Sequence, residues 1–421
     1  MKYQFKKLLL IIVFLFFVSS LNAQWQQTST PPGGSVWAIA VIGNNLFAGA
    51  TNGGVYFSSD NGITWTQRNG AYTTMQVYSL TTNGVEIYAG TGGSFGGGVY
   101  KSSDNGLTWL NVTPIGVGIN YFDVRALAVN GTDIFAGTTG NSIYKSSLSS
   151  ISTSSWSTFK TGLPNQAIRS LAFSGSNILA GTYGDGVWIS PSANANWVST
   201  SNISSSADYI QSIAVNGSNV YAGNISGSPV LYLSTNNGLT WTPSNTSLFS
   251  NKPVYAIINK GNDIYVGTEG EGAFLSTDNG LTWNSYNNGF KNSSGNWYCN
   301  QINIRSFAFI GNKIFAGTDC GVWSQDTSSI LEVSTVNDIK NFSVYPNPTN
   351  NHITLDFGSS TVINEYILKI NNSLGQLVFT SSIKQQLTDI FLPNLNASGI
   401  YYLNIIDSQN NTVAIRKIVL Q

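Results

Sequence analysis

Asp133-Ile134-Phe135-Ala136-Gly137 decides the fold, because its apolar-x-Gly strand end returns along the chain. The counterparts are Phe47-Ala48-Gly49, Tyr88-Ala89-Gly90, Leu179-Ala180-Gly181, Tyr221-Ala222-Gly223, Tyr265-Val266-Gly267 and Phe315-Ala316-Gly317. Successive glycines stand 41, 47, 44, 42, 44 and 50 residues apart, a period that suits four-strand propeller blades and not helical repeats. Around Gly137, a strand from Val124 to Val129 precedes the hairpin signal Asn130-Gly131. A third strand covers Ser142 to Ser147, and a fourth opens at Trp156. Six units have such a tryptophan: Trp65, Trp109, Trp156, Trp197, Trp241 and Trp283. The seventh lacks one after Trp323, whereas Trp25-Gln26-Gln27 resembles Trp65-Thr66-Gln67 and precedes the first unit. We expect this early segment to supply the missing strand, closing the ring and removing exposed sheet edges.

Four units contain a Ser-x-Asp/Asn-x-Gly-x-Thr-Trp turn, built around Asp60, Asp104, Asn236 and Asp278. The side chain at that position accepts turn amide hydrogens, and the glycine permits positive φ. Burying one of the tryptophans contributes about 2 to 3 kcal/mol. These residues resemble the Asp-box (BNR) repeats of sialidases, sortilin-type receptors, xyloglucan hydrolases and photosystem II assembly factor-like propellers. The third and fourth units have lost the Asp and Gly. Because the acids recur at one blade position, ring symmetry spreads them around the rim and makes them turn staples, not a shared catalytic or calcium site.

The chain has 421 residues, 19 Lys+Arg, 19 Asp+Glu, 9% charged residues, 43 Gly, two Cys and one His. Zero net charge without a basic run argues against a nucleic-acid partner. A single histidine and two cysteines exclude His-based triads, HExxH zinc helices and four-Cys sites, so no metal or cofactor is expected. Residues 1–23 combine Lys2, Lys6 and Lys7 with an apolar run from Leu8 to Val18 and a small-residue end at Ala23, the layout of a secretory signal. The run is too short for a spanning helix, which needs about 20 residues. No second such run follows, so a mature protein without a transmembrane segment is expected.

Residues 342–421 break the repeat after a Ser/Thr-rich linker placed at 331–341, leaving 24–330 for the propeller. Alternating runs such as Ile353 to Phe357 and Tyr366 to Ile370 suggest about seven short strands in a small Ig-like sandwich. Tyr345-Pro346-Asn347-Pro348-Thr349, Ser373-Leu374-Gly375-Gln376-Leu377-Val378, Gly399-Ile400-Tyr401-Tyr402-Leu403 and Lys417-Ile418-Val419-Leu420 resemble the type A C-terminal sorting domain of type IX secretion in Bacteroidota. The resemblance implies passage across the outer membrane, with the cargo released or surface-attached, and type IX machinery as a partner. His352 is read as an ordinary strand residue.

The first strand of each blade is innermost, and its start lies near the channel mouth. The equivalent positions are Trp37, Tyr78, Arg125, Arg169, Gln211, Tyr255 and Arg305, with Arg305 expected to face Arg125 and Arg169 across the opening. Loops on the same face supply Asp185, Glu269, Glu271 and Asp319. Arginine forks grip anions and aromatic faces stack on rings, so a carboxylate, sulfate or sugar could dock here. The opposing reading pairs the arginines with acids such as Asp123, Glu269 or Asp319 and merely closes the mouth. Cys299 and Cys320 fall on loops near the seventh blade; export allows a disulfide, with two free thiols as the alternative. The expected molecule is an all-β, seven-bladed propeller with a small sandwich. It is a monomeric, non-catalytic binder or scaffold of an unknown protein or glycan, with no catalytic residue assigned. A surface glycoside hydrolase of sialidase or xyloglucanase type is the alternative.

Overall fold

The computed structural model describes residues 24–29, 34–70, 72, 76–93, 97–113, 123–140, 142–203, 208–244, 246–291, 295–299, 302–327, 343–357, 366–372, 377–392, 399–406 and 412–420. The expected signal at 1–23 and linker at 331–341 lie outside the described residues. The chain divides into two compact units, Met1–Ser328 and Ser329–Gln421.

Among the described residues, the first unit contains seven four-stranded antiparallel sheets. In the third, Val124–Val129, Asp133–Thr138, Ile143–Ser147 and Ser157–Thr158 pair in chain order. The inner strands are Val36–Ile42, Gln76–Thr82, Val124–Val129, Ile168–Ser174, Ile210–Asn216, Val254–Lys260 and Ile304–Ile310. Each touches the next, and Ile304–Ile310 touches Val36–Ile42, so the circuit closes; the blades are numbered one to seven in this order. Apolar clusters fill the spaces between neighbouring blades, as where Tyr88 and Val99 pack with Val124 and Tyr144.

The repeat glycine has a packing reason. A Cβ on Gly49, Gly90, Gly137, Gly181, Gly223, Gly267 or Gly317 would come within 2.5 to 2.9 Å of a methyl of the β-branched residue that opens the next blade. For Gly317 that residue is Val36, which brings the chain back to blade one. Two sheets can approach so closely only where one side chain is missing.

Closure uses the early segment. Gln26–Gln27 pairs antiparallel with Gly321–Asp326, Gln26 opposite Ser324 and Gln27 opposite Trp323, as the fourth strand of blade seven. The tryptophans form a belt around the ring. Trp65 Nε1 donates to Thr28 Oγ1, Trp109 to the Arg68 carbonyl, Trp156 to Val112, Trp197 to Phe159, Trp241 to Thr200 Oγ1, Trp283 to Ser244 Oγ and Trp25 to the Tyr286 carbonyl. Every acceptor lies three residues after the tryptophan of the preceding blade. Trp25 and Thr28 complete the circuit.

The second unit is a two-sheet sandwich. Ser343–Tyr345, His352–Asp356 and Leu387–Phe391 form one sheet, and Leu377–Ile383, Tyr366–Asn372, Gly399–Ile406 and Thr412–Leu420 form the other. Alternating residues including Ile353, Leu355, Leu368, Ile370, Leu403 and Ile418 make its core. His352 is an exposed residue at the start of its strand. Asn347 staples the last strand: its Nδ2 donates to the Lys417 carbonyl at 2.8 Å, and its Oδ1 accepts from Val419 N at 2.9 Å.

Candidate functional site

All seven expected mouth residues occupy the same irregularity. In blade one, Val36 pairs with Ala50 and Ala38 with Gly49, so Trp37 is an extra residue without a ladder partner. The same skip leaves out Tyr78, Arg125, Arg169, Gln211, Tyr255 and Arg305. A bulge bends the strand and re-aims one side chain, and seven of them direct seven half-buried side chains to the same end of the channel.

The ring is crowded. Trp37 and Tyr78 meet edge to face at 5.5 Å. The Arg125 guanidinium carbon lies 3.5 Å from the Tyr78 ring centroid and 5.6 Å from that of Trp37. That of Arg305 lies 4.5 Å from Trp37 and 4.8 Å from Tyr255. The Trp37 ring thus lies within reach of both Arg305 and Arg125, the residues expected to face each other across the opening. Gln211 holds the blade-five position.

Two arginines have acids. Arg125 Nη2 is 2.5 Å from Asp123 Oδ2, and Asp123 Oδ1 also accepts from Gly93 N at 3.1 Å. Arg305 donates to both Asp319 oxygens, at 2.6 and 3.2 Å, and Asn303 Nδ2 donates to Asp319 at 2.6 Å. Burial pushes the Asp319 carboxyl up, but the Arg305 and Asn303 bonds and the Arg305 charge hold it below its ordinary value. Burial pushes the Tyr255 hydroxyl up, and the Glu269 charge adds to that.

Arg169 differs. Its Nε is buried and has no hydrogen-bond partner among the described residues. Burial and then the neighbouring Arg125 charge push its guanidinium below its ordinary value. The cause is local sequence. The residue two before the bulge is Asp123 in blade three and Asn303 in blade seven, but Ala167 in blade four. The residue after the second strand is Asp319 in blade seven, after Lys313–Thr318, but Tyr183 in blade four, after Asn177–Thr182. Tyr183 lies under Arg169 at 4.7 Å and against Tyr209 at 4.4 Å. These two tyrosines escaped the sequence reading, although Tyr209 is the residue two before the bulge in blade five. Asp185 is engaged through its backbone, whose N–H donates to Thr182 Oγ1 and whose carbonyl accepts from Trp188 Nε1.

The Asp-box acids are bound within their own turns. Asp60 accepts from Thr64 N at 2.9 Å, Thr64 Oγ1 at 2.6 Å and Ser58 Oγ at 2.7 Å, and Asp104 and Asp278 repeat the pattern. Asn236 accepts from Thr240 N and donates to its hydroxyl. Asn61, Asn105, Asn237 and Asn279, each directly before the turn glycine, have positive φ of 57 to 60°, a second left-handed position that Asn-Gly pairs announce. Among the described residues, no group of three His, Cys, Asp or Glu could hold a metal ion. Cys299 and Cys320 form a disulfide, with Cα atoms 6.4 Å apart.

The second unit's strands and its Asn347 staple now meet their counterpart. Residues 343–421 match the secretion system C-terminal sorting domain family. The sorting domain marks the chain for export by type IX secretion, to the cell surface or beyond it. Among the described residues no helix is long and apolar enough to cross a membrane. No curated protein matches the chain. Similar solved structures are propellers. YCF48 from Cyanidioschyzon merolae is 16% identical with a TM-score of 0.56, covering 74% of this chain and 100% of that one. A YCF48 bound to D1 peptide is 13% identical with a TM-score of 0.55, covering 72% and 96%. PorZ, a surface component of the type IX secretion system of Porphyromonas gingivalis, is 14% identical with a TM-score of 0.55, covering 93% of this chain and 60% of that one. A GH74 enzyme of Niastella koreensis is 15% identical with a TM-score of 0.58, covering 95% and 74%. At these identities the likeness shows the fold.

Proposed function

We propose that the exported protein is a non-catalytic binder or scaffold whose channel mouth grips an anionic group, a carboxylate or sulfate, on a protein or glycan partner. The observation that carries this reading is Arg169. Arg125 and Arg305 spend their charge on Asp123 and Asp319. Arg169 has a buried, unbonded Nε and an aromatic neighbour where blade seven has an acid. Among the described residues no acid forms a salt bridge with Arg169, the nearby Asp123 being paired with Arg125, and an incoming anion would pair its half-buried charge. Tyr183 and Tyr209 would stack against a ring or peptide plane beside it. The YCF48 bound to D1 peptide supports the reading, since a propeller of this kind there holds a peptide.

The GH74 neighbour favours the hydrolase alternative. That chemistry needs two carboxylates flanking one bond, one of them with a raised pKa. Asp123 and Asp319 are instead tied to arginines, and Glu269 and Glu271 flank one glycine in a single loop. The test is an array of peptides, glycans and outer-membrane proteins, with a hydrolysis screen on the same glycans. Arg169→Gln should abolish anionic binding. Ala167→Asp, which supplies the acid that Asp123 supplies to Arg125, should weaken it at least tenfold with Arg169 still present. Full binding by both variants would refute the mouth, and glycan turnover would replace the binding role with the enzymatic one.

A further inference from the structure

At the seam where Gln26–Gln27 joins blade seven, a second concavity opens that the channel mouth does not use. Its volume is about 510 Å³, within the range of small-ligand sites. We propose that this groove is a separate binding site for a neutral oligosaccharide.

Its lining combines one exposed ring, Tyr298, and the buried indoles Trp25 and Trp323 behind it with the amide residues Gln24, Gln26 and Asn288. A sugar ring has apolar C–H faces that stack on aromatic planes and hydroxyls that give and take hydrogen bonds, which amides do in both senses. Tyr298 is 61% exposed and packs at 5.8 Å against Trp323, so a flat surface is offered on a buried support. Trp323 is 2% exposed, yet its Nε1–H has no acceptor among the described residues. The seven belt tryptophans described above each have one, and Trp323, which lies outside the belt, backs the wall as a buried indole.

Charge points to a neutral ligand. Among the described residues no carboxylate lines the groove. The cation among them, Lys291, has its Nζ 4.2 Å from the centroid of the Trp297 ring, which already satisfies part of its field. Without an acid pair the groove can hold a glycan but cannot cleave it. Gln27 is fixed by donation from Nε2 to the Cys320 carbonyl at 2.9 Å, so the strand forming one wall is held to the disulfide loop. The site is therefore preformed and costs little ordering on binding.

The test is calorimetric titration of the full chain with cellohexaose, xylohexaose and mannohexaose, with hexagalacturonate and a neutral hexapeptide as controls. We expect at least one neutral hexasaccharide to bind in the millimolar range or tighter. Tyr298→Ala should weaken it about tenfold, the size of one lost stacking contact, and Tyr298→Phe should retain it. Arg169→Gln should leave it unchanged, which separates this site from the channel mouth. Unchanged melting will show that the exposed Tyr298 has been removed without unfolding. The proposal is overturned if no neutral sugar binds, if only hexagalacturonate or the peptide binds, or if Tyr298→Ala has no effect.

Discussion

Asp60 shows how much one residue settles in a turn of eight. Its carboxyl is lowered to about 2 by the Thr64 hydroxyl, the Thr64 amide and the Ser58 hydroxyl, which bond the charged form. The Thr108 hydroxyl and amide also hold the Asp104 carboxyl below its ordinary value, and for Asp278 the Thr282 and Ser276 bonds outweigh burial. An unfolded aspartate titrates near ~3.9, so the stability from these turns is present above that pH and is lost as pH falls through the folded values. Blade five already works with Asn236, which cannot titrate. Replacing Asp60, Asp104 and Asp278 by Asn should leave melting at neutral pH nearly unchanged and flatten its decline below about pH 4; an equally steep acid decline in the variant would contradict this. The box was readable because its spacing recurs four times. The mouth residues were readable as a set by alignment alone, but the bulge that turns them inward left no mark, since Trp, Tyr, Arg and Gln share no bulge propensity. Arg169's missing acid was visible in Ala167 and Tyr183, but only once the pairing partners of Arg125 and Arg305 were known.

At the scale of elements, two cross-links tie the closing strand down. Trp25 N donates to the Asn288 carbonyl and Thr28 N to the Val322 carbonyl, besides the pairing of Gln26 and Gln27 with blade seven. Deleting Gln24 to Thr30 removes the buried Trp25 and exposes the edge of Gly321–Asp326, and a large fall in melting temperature is expected; an unchanged melting curve would sink the closure. The Cys299–Cys320 bridge closes a loop with a sequence separation of 21 and should contribute about 3 kcal/mol by restricting the unfolded chain. Because Gln27 bonds to the Cys320 carbonyl, removal of the bridge by Cys299→Ser with Cys320→Ser and removal of the closing strand should be less than additive in denaturant titrations. The strands were legible from period-2 alternation and Asn-Gly turns. The pairing of residues some 300 apart was legible only through the likeness of Trp25-Gln26-Gln27 to Trp65-Thr66-Gln67.

For the molecule as a whole, the indole belt has a consequence beyond holding blades together. Each unit carries a donor for its predecessor and, three positions on, an acceptor for its successor. The acceptor is a main-chain carbonyl in four cases, where the neighbour's identity matters little, and a Ser or Thr hydroxyl in three, where one small polar residue must be kept. At this contact units are thus nearly interchangeable. A gene can duplicate, delete or transpose one without rewriting the next, which leaves the ornament at the channel end free to vary while the wheel that bears it stays the same.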